Sequence, residues 1–401
     1  MKEIDLILAG WLIDGTGART LKDVTLETSD GYILRIRKRL PVDRARNDVT
    51  DYSQCTLLPV LLDSHVHLFM SGTGDPGLRK HQCQATYSEA KSTIKRHIQE
   101  QVASGILAVR DGGDHGGYTR RYKKEGGNRE DSPLKLMVAG KAWHAPFRYG
   151  RLLGRCPILG QSLARSISRT WRGADHVKII NSGLNSLCCF GKETSPQFDS
   201  ADLAETAERV HRVGLKLMVH ANGELPVRMA IEAGCDSIEH GFFMGRENLM
   251  RIAEKGIFWV PTAFTMGACA RMSDPGSTES EVARRNLEHQ LEQLRVAEEC
   301  GVRIALGTDA GSVGVNHGKA VVEEMKVFIS AGLTLEKTIQ CASSRGAELL
   351  NLKNTMGTLA PGQPSSFLAV RGGPDRLPDS LNELMGMYTK GKSLRKNNLA
   401  N

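Results

Sequence analysis

Aromatic residues make up only 5% of this 401-residue chain. The basic clusters "RIRKR", "RRYKK" and "RYGRLLGR" are scattered and do not form an aromatic-interleaved basic stripe. A nucleic-acid partner is therefore not expected. The formal charge of +8 bears on solubility and on weak attraction of anions, not on fold. No apolar run approaches bilayer-spanning length, so no membrane partner is expected. The nine cysteines are odd in number and irregular in spacing, and the adjacent Cys188 and Cys189 are not a zinc-type CxxC. The start "MKEIDLILAGWLIDG" has no secretory pattern. Free thiols in a reducing cytoplasm are the expectation. There is no repeat of fixed period and no long low-complexity segment. What is present is an ordinary globular balance, 40% hydrophobic and 24% charged, enough for a large core.

The stretches "IDLILAGWLIDGTG" and "KDVTLETSDGYILRIRK" read as short strands broken by Gly and Asp turns. From Leu57 the pattern changes to apolar strands alternating with amphipathic helices, the signature of parallel βα units. The strand candidates are "TLLPVLLDSHVH", "GILAVRDGG", "LKLMVAGKAWH", "HVKIINSG", "LKLMVHANG", "SIEHG", "IFWVPT" and "VRIALGTDAG". Eight such strands predict an α/β fold, a (β/α)8 TIM barrel over residues 57–360. The tail "GTLAPGQPSSFLAVRGG" returns to strand and turn chemistry. It predicts a small β-sandwich domain built from residues 1–56 and 361–401.

A TIM barrel carries its chemistry at the carboxyl ends of its strands. Strand one ends in His65 and His67, two residues apart and so on one face. An isolated pair of this kind is equally a hydrogen-bonded strand end or half of a metal site. Strand three ends in His144, strand five in His220, strand six in Glu239 and His240, and strand eight in Asp309. Four histidines and an aspartate suffice for one or two zinc-class ions. Lys178 lies in an apolar strand, where a free ammonium is costly. A partnered lysine in the barrel mouth is the simpler reading of that residue alone. Reaction with CO2 to a carbamate, an anion able to bridge two metals, is the other.

The ordered set "DSHVH", "HVKII", "LMVHA", "SIEHG" and "GTDAG" resembles the amidohydrolase superfamily of metal-dependent hydrolases. The resemblance runs through "GTLAPGQPSSFLAV", which is similar to that superfamily's carboxy-terminal sandwich strand. It implies two divalent metal ions per chain, zinc being the expected one. His65, His67 and Asp309 would bind the first, His220 and His240 the second, and a CO2-derived carbamate on Lys178 would bridge them. A metal-bridging hydroxide would then attack an amide, with Asp309 moving the proton. A homo-oligomer is also implied.

Within the superfamily, "VRDGG", "HANG", "IEAGCDSIEHG" and "NHGKAVVEEM" resemble the branch of metallo-carboxypeptidases and Xaa-Pro dipeptidases, with ochratoxin-type amidases nearby. The expected substrate is a small molecule, a dipeptide or an N-acyl amino acid. Three departures lie at the substrate side: "GKAWHAPFRYG" replaces a glycine-rich segment, Asn222 stands where an aromatic is usual, and "SGLNS" replaces "SGG". His144 is the candidate to polarise the substrate carbonyl. Asn222, Arg148 and His115 are the further candidates for substrate contact. Arg151, Arg155 and His317 read better as ordinary loop or packing residues. A lactonase or esterase would use the same hydroxide. A deaminase fits less well, because Glu224 is four residues after His220 rather than three.

Overall fold

The computed structural model describes residues 4–45, 49–127 and 132–396. The amino-terminal strands are β1 (Asp5–Leu12), β2 (Leu21–Ser29), β3 (Tyr32–Lys38) and β4 (Val49–Pro59). Next come β5 (Leu61–Val66), β6 (Ile106–Asp111), β7 (Lys135–Val138), and the short β8 (Ala142–Trp143) and β9 (Gly154–Arg155). They are followed by β10 (His176–Ile180), β11 (Lys216–Ala221), β12 (Ser237–His240), β13 (Phe258–Val260) and β14 (Arg303–Ile304). The chain ends in β15 (Phe367–Arg371), β16 (Leu384–Thr389) and β17 (Lys392–Lys396).

Two compact units are formed. The first holds residues up to 62, residues 101–107 and those from 333 onward. Its frame is one continuous mixed sheet in the order β17-β16-β15-β4-β1-β2-β3. The tail strand β15 runs antiparallel to β4, pairing Phe367 with Pro59 and Ala369 with Leu57. β4 in turn runs parallel to β1. Alternation places Ile7, Val24, Leu26, Leu57, Phe367 and Ala369 in one buried cluster. The helical residues 335–349, which the sequence groups with the barrel, belong to this unit. Ser344 Oγ donates to the Gly15 carbonyl (2.6 Å) and Gln340 Nε2 to that of Thr16 (2.6 Å).

The second unit comprises residues 63–100 and 108–332 and is the α/β barrel. β10 to β14 are consecutive parallel neighbours, and β5, β6 and β7 form a second parallel run. The runs join where Asp175 N donates to the Val138 carbonyl (2.9 Å) and Ser64 N to that of Leu306 (2.9 Å). Two expected strands are interrupted. "TLLPVLLDSHVH" divides at Val60 into β4 and β5, and "LKLMVAGKAWH" divides at Ala139–Lys141 into β7 and β8. Between β13 and the long helix Thr278–Cys300 lies a helix not anticipated, Phe264–Met272. Buried Glu324 accepts from the Ala263 and Phe264 amides at its start (2.8 Å each). None of the nine cysteines is in a disulfide. No described helix is long and apolar enough to cross a membrane.

Candidate metal and active site

At the carboxyl end of the barrel strands lies a cavity of about 310 Å³. His65, His67, Lys178, His220, His240 and Asp309 all line it, contributed by β5, β10, β11 and β12 and by the segments that follow β5 and β14. The four imidazoles form a chain of neighbours. Ring centroids lie 5.4 Å apart for His67 and His65, 5.0 Å for His65 and His240, and 4.5 Å for His240 and His220.

Hydrogen bonds to oxygen acceptors decide which nitrogen of each ring is left free. His67 Nδ1 donates to the Gly113 carbonyl (2.9 Å), which leaves the Nε2 lone pair. His65 Nδ1 meets the Glu239 carboxylate (2.8 Å), and its buried Nε2 has no hydrogen-bond partner among the described residues. His220 is reversed: Nε2 donates to the Gly183 carbonyl (3.0 Å), leaving Nδ1. His240 Nδ1 is held at 2.6 Å by the Thr262 hydroxyl, leaving Nε2. Burial first, and Lys178 second, push the His67 imidazole down to about 4 and that of His220 to about 3. His65 and His240 are held well below the usual histidine value, again chiefly by burial. Neutral imidazoles with a free nitrogen are what metal binding requires.

Asp309 completes the first set. Its Oδ1 lies 3.5 Å from His65 Nε2 and 3.4 Å from His67 Nε2, while Ser312 Oγ donates to Oδ2 (2.8 Å). Ligands at zinc-like distances of about 2.1 Å in a tetrahedron stand about 3.4 Å from one another. The His65–His67–Asp309 spacing fits that geometry, and these ligand atoms all lie within 4.8 Å of one another. Lys178 is 1% exposed, and its Nζ has no hydrogen-bond partner among the described residues. Burial pushes this amine down to about 8, and it pushes the Asp309 carboxyl up to about 6.

The supports of the site carry strain and close approaches. His240 (φ 69°), Thr262 (φ 47°) and Asp309 (φ 58°) all sit in the left-handed region, which costs a residue with a Cβ roughly 1–2 kcal/mol. His240 is held there through its carbonyl, which accepts from Trp259 Nε1 (3.0 Å) and Gln290 Nε2 (2.7 Å). A Cβ on Gly112 would meet His67 Cε1 at 2.8 Å and His65 Nε2 at 3.2 Å, so only glycine leaves those nitrogens clear. Glu239 is fully buried and also accepts from Arg110 Nη2 (2.8 Å). Arg110 Nε is anchored on the Ser64 carbonyl (2.7 Å). Asp63 accepts from the amide and hydroxyl of Thr308 (3.0 and 2.6 Å), tying β5 to the Asp309 segment.

The residues expected to touch substrate divide. Asn222 lines the cavity, but its amide is spent on backbone: Phe242 N donates to Oδ1 (3.0 Å) and Nδ2 reaches the Gly183 carbonyl (3.4 Å). His144, Arg148 and His115 are not among the lining residues. His144 Nδ1 bonds the Ala145 carbonyl (2.9 Å), and exposed Arg148 donates to the Ser195 carbonyl (2.7 Å). His115 packs its ring on Phe69 and Tyr118. In their stead the wall holds Tyr149, whose ring centroid is 5.5 Å from that of His220, and Arg79. Arg79 lies in the first turn of helix Pro76–Gln84, where Asp75 caps the amides of Gly77 and Leu78. The Asp-Pro pair of "GDPGLRK" is the sequence signal that marks this helix start.

Ochratoxinase of Aspergillus niger is 23% identical over 93% of this chain and 82% of its own length. Imidazolonepropionase of Porphyromonas gingivalis is 21% identical over 79% of this chain and 74% of its own. Among solved structures, a Xaa-Pro dipeptidase with methionine bound in its active site superposes with a TM-score of 0.81. It is 24% identical and covers 98% of this chain and 99% of the other. The sequence profile of the amidohydrolase family matches residues 56–393. With a barrel of this form and a His-His-Asp cluster in its mouth, the chain belongs to the amidohydrolase family and is a hydrolase acting on carbon–nitrogen bonds.

Proposed function

We propose that the protein hydrolyses an amide bond of a dipeptide or N-acyl amino acid at a binuclear zinc centre. The observation that carries this reading is a donor set around one cavity. It comprises four imidazoles whose acceptor bonds leave one nitrogen free, the Asp309 carboxylate, and the buried Lys178 amine with no hydrogen-bond partner among the described residues. His65, His67 and Asp309 would hold one ion, and His220 and His240 the other. Lys178 supports a carbamate chemically, because an unpartnered amine that burial shifts toward its neutral form is the species that adds CO2. Bound ions would supply Lewis acidity for the amide carbonyl and lower the pKa of water.

The chain's own groups then divide the remaining work. Asp309 takes the proton of the attacking water and delivers it to the departing nitrogen, with Oδ2 steadied by Ser312. Glu239 and the Gly113 and Gly183 carbonyls keep the ring tautomers fixed throughout. Phe69, Leu152, Leu153 and Met266 give the cavity an apolar wall that limits water to the reacting end. The similarity to a structure named as a Xaa-Pro dipeptidase supports a peptide-like amide here. The test is a panel of dipeptides, N-acyl amino acids and lactones offered to zinc-reconstituted protein. Turnover of the amides above roughly 10⁴ M⁻¹s⁻¹ in kcat/KM is expected for at least one member. Turnover of lactones alone would overturn the reading.

A further inference from the structure

Among the described residues, and apart from Lys178 at the histidine cluster, Arg79 is the one lysine or arginine lining the cavity. Its Nη1 is committed to three carbonyls, those of Ser71 (3.0 Å), Thr73 (3.3 Å) and Gly311 (3.2 Å). Among the described residues, Nε and Nη2 make no hydrogen bond and Arg79 pairs with no carboxylate. The guanidinium is thus fixed at one corner and open along the opposite edge, the arrangement that takes a carboxylate in a two-pronged bond. The Gly311 contact lies two residues beyond Asp309, so the cation stands on the Asp309 side of the cavity. The α-carboxylate of an amino-acid leaving group is only two bonds from the scissile nitrogen, which fits that placement.

We infer that Arg79 receives the substrate's carboxylate, so that the group released is an α-amino acid with an apolar side chain. This rests on the amide-hydrolase reading above. The alternatives for the carboxylate are weaker. The Asn222 amide is engaged with backbone at both ends. Arg148 is exposed and bonded to Ser195. The side chain of the released amino acid would meet Phe69, Met70, Leu152, Leu187 and Met266, none of which offers a hydrogen bond. Asp309 acts on this cation only through space, with no ion pair between them, so a guanidinium with two free N–H groups in a partly apolar wall gains from an anion that docks against it.

The test separates this assignment from the amide-hydrolase reading. In the first arm, L-methionine and L-methioninamide are titrated calorimetrically into zinc-loaded protein, with wild type, Arg79→Met and Arg79→Lys. In the second, kcat/KM is measured for N-acetyl-L-methionine and its carboxamide. Wild type should prefer the acid by roughly 10- to 100-fold in both arms, as a charge-assisted pair implies. Arg79→Met should bring the two ligands within about 3-fold, and Arg79→Lys, which keeps charge but not the fork, should fall between. If no dipeptide or N-acyl amino acid of the panel above is hydrolysed but the binding preference exists and disappears in Arg79→Met, the Arg79 assignment stands and the amide reading fails. Equal affinity of wild type for acid and amide, or an equal loss for both ligands in a folded Arg79→Met, overturns the assignment. Should Arg79→Met not fold, the wild-type ratio and the Arg79→Lys ratio decide.

Discussion

Replacing Glu239 by glutamine would disturb two things at once, and the structure separates them. The carboxylate is fully buried; Oε2 takes His65 Nδ1 and Oε1 takes Arg110 Nη2, each at 2.8 Å. Glutamine keeps the shape and removes the charge. Arg110, 4% exposed, would then be a buried cation without its counter-charge. Breaking a buried pair from one side costs about 3–5 kcal/mol. Arg110 retains its bonds to the Ser64 carbonyl and the Ser237 hydroxyl, so a loss of about 2–3 kcal/mol is expected. The second effect concerns the proton on His65. An amide offers one oxygen and one NH2. With the oxygen toward Arg110, the NH2 faces His65 Nδ1, and the imidazole proton must move to Nε2, the nitrogen beside Asp309. With the amide turned over, two donors face each other at Arg110. Metal affinity should therefore fall about 10- to 100-fold, the usual cost of losing the partner that orients a ligand. Guanidinium unfolding of the metal-free protein measures the first effect, and zinc competition against a chromophoric chelator the second. A Glu239→Gln protein with stability within about 1 kcal/mol of wild type and affinity within about 3-fold would refute this account.

Lys178→Ala should lower the zinc content from about two per chain to one or fewer and reduce turnover by several orders of magnitude, with partial rescue by formate or acetate; full metal content with near wild-type turnover rules out the carbamate. Gly112→Ala, whose methyl would press on the His65 and His67 ring nitrogens, should weaken zinc binding by more than about 10-fold while changing the metal-free stability by less than about 2 kcal/mol, read by the same competition and unfolding assays. His97 is buried, stacked on His317 with centroids 4.1 Å apart, and burial holds it down at about 4. Between pH 6.5 and 4 the unfolded chain protonates this imidazole and the folded one does not, so its contribution to stability is lost as pH falls, at about 1.4 kcal/mol per pH unit. Buried Asp63, Asp111 and Glu324, pushed up to about 7, 7 and 8, act in the opposite direction. The measurement is therefore the difference between wild type and His97→Gln, which should shift by about 2 kcal/mol from pH 7 to pH 5; a pH-independent difference would contradict the assignment.

The residues that are legible from sequence share a property: each ends an apolar strand. His65, His67, His220, His240 and Asp309 break runs that otherwise read as core, and a barrel collects strand ends at one mouth. Counting strands therefore located both the fold and the residues around the cavity. What stayed hidden depends on contacts between segments far apart in the chain. Glu239 is visible as a strand-end acid, yet its task follows from His65, 174 positions away. The break at Val60 is masked by apolar residues on both sides, because β4 and β5 are each buried for different reasons. Strand eight reads as ten residues, but the regular strand is only Arg303–Ile304; beyond it Leu306 accepts from Ser64 N and Ala310 bridges Val66, with Asp309 between them in the left-handed region.

The substrate wall was least legible, and the reason is geometric. Histidine and arginine in a loop after a strand look alike whether they face the cavity or the backbone beneath it. His144 and Arg148 satisfy themselves on the nearby Ala145 carbonyl and the Ser195 carbonyl of another loop. Arg79 comes instead from a short helix in which Gln82 is the buried residue, so no apolar stripe marks it in the sequence, and whose start is set by Asp75 and Pro76. A metal ligand must lie within about 2 Å of its ion, so the backbone beneath it is fixed tightly and is readable as a strand end. A long cationic side chain reaches several ångströms and can approach from many places. The chemistry of this barrel is thus written in the strands, and its choice of substrate in side chains that only the folded chain brings to the wall.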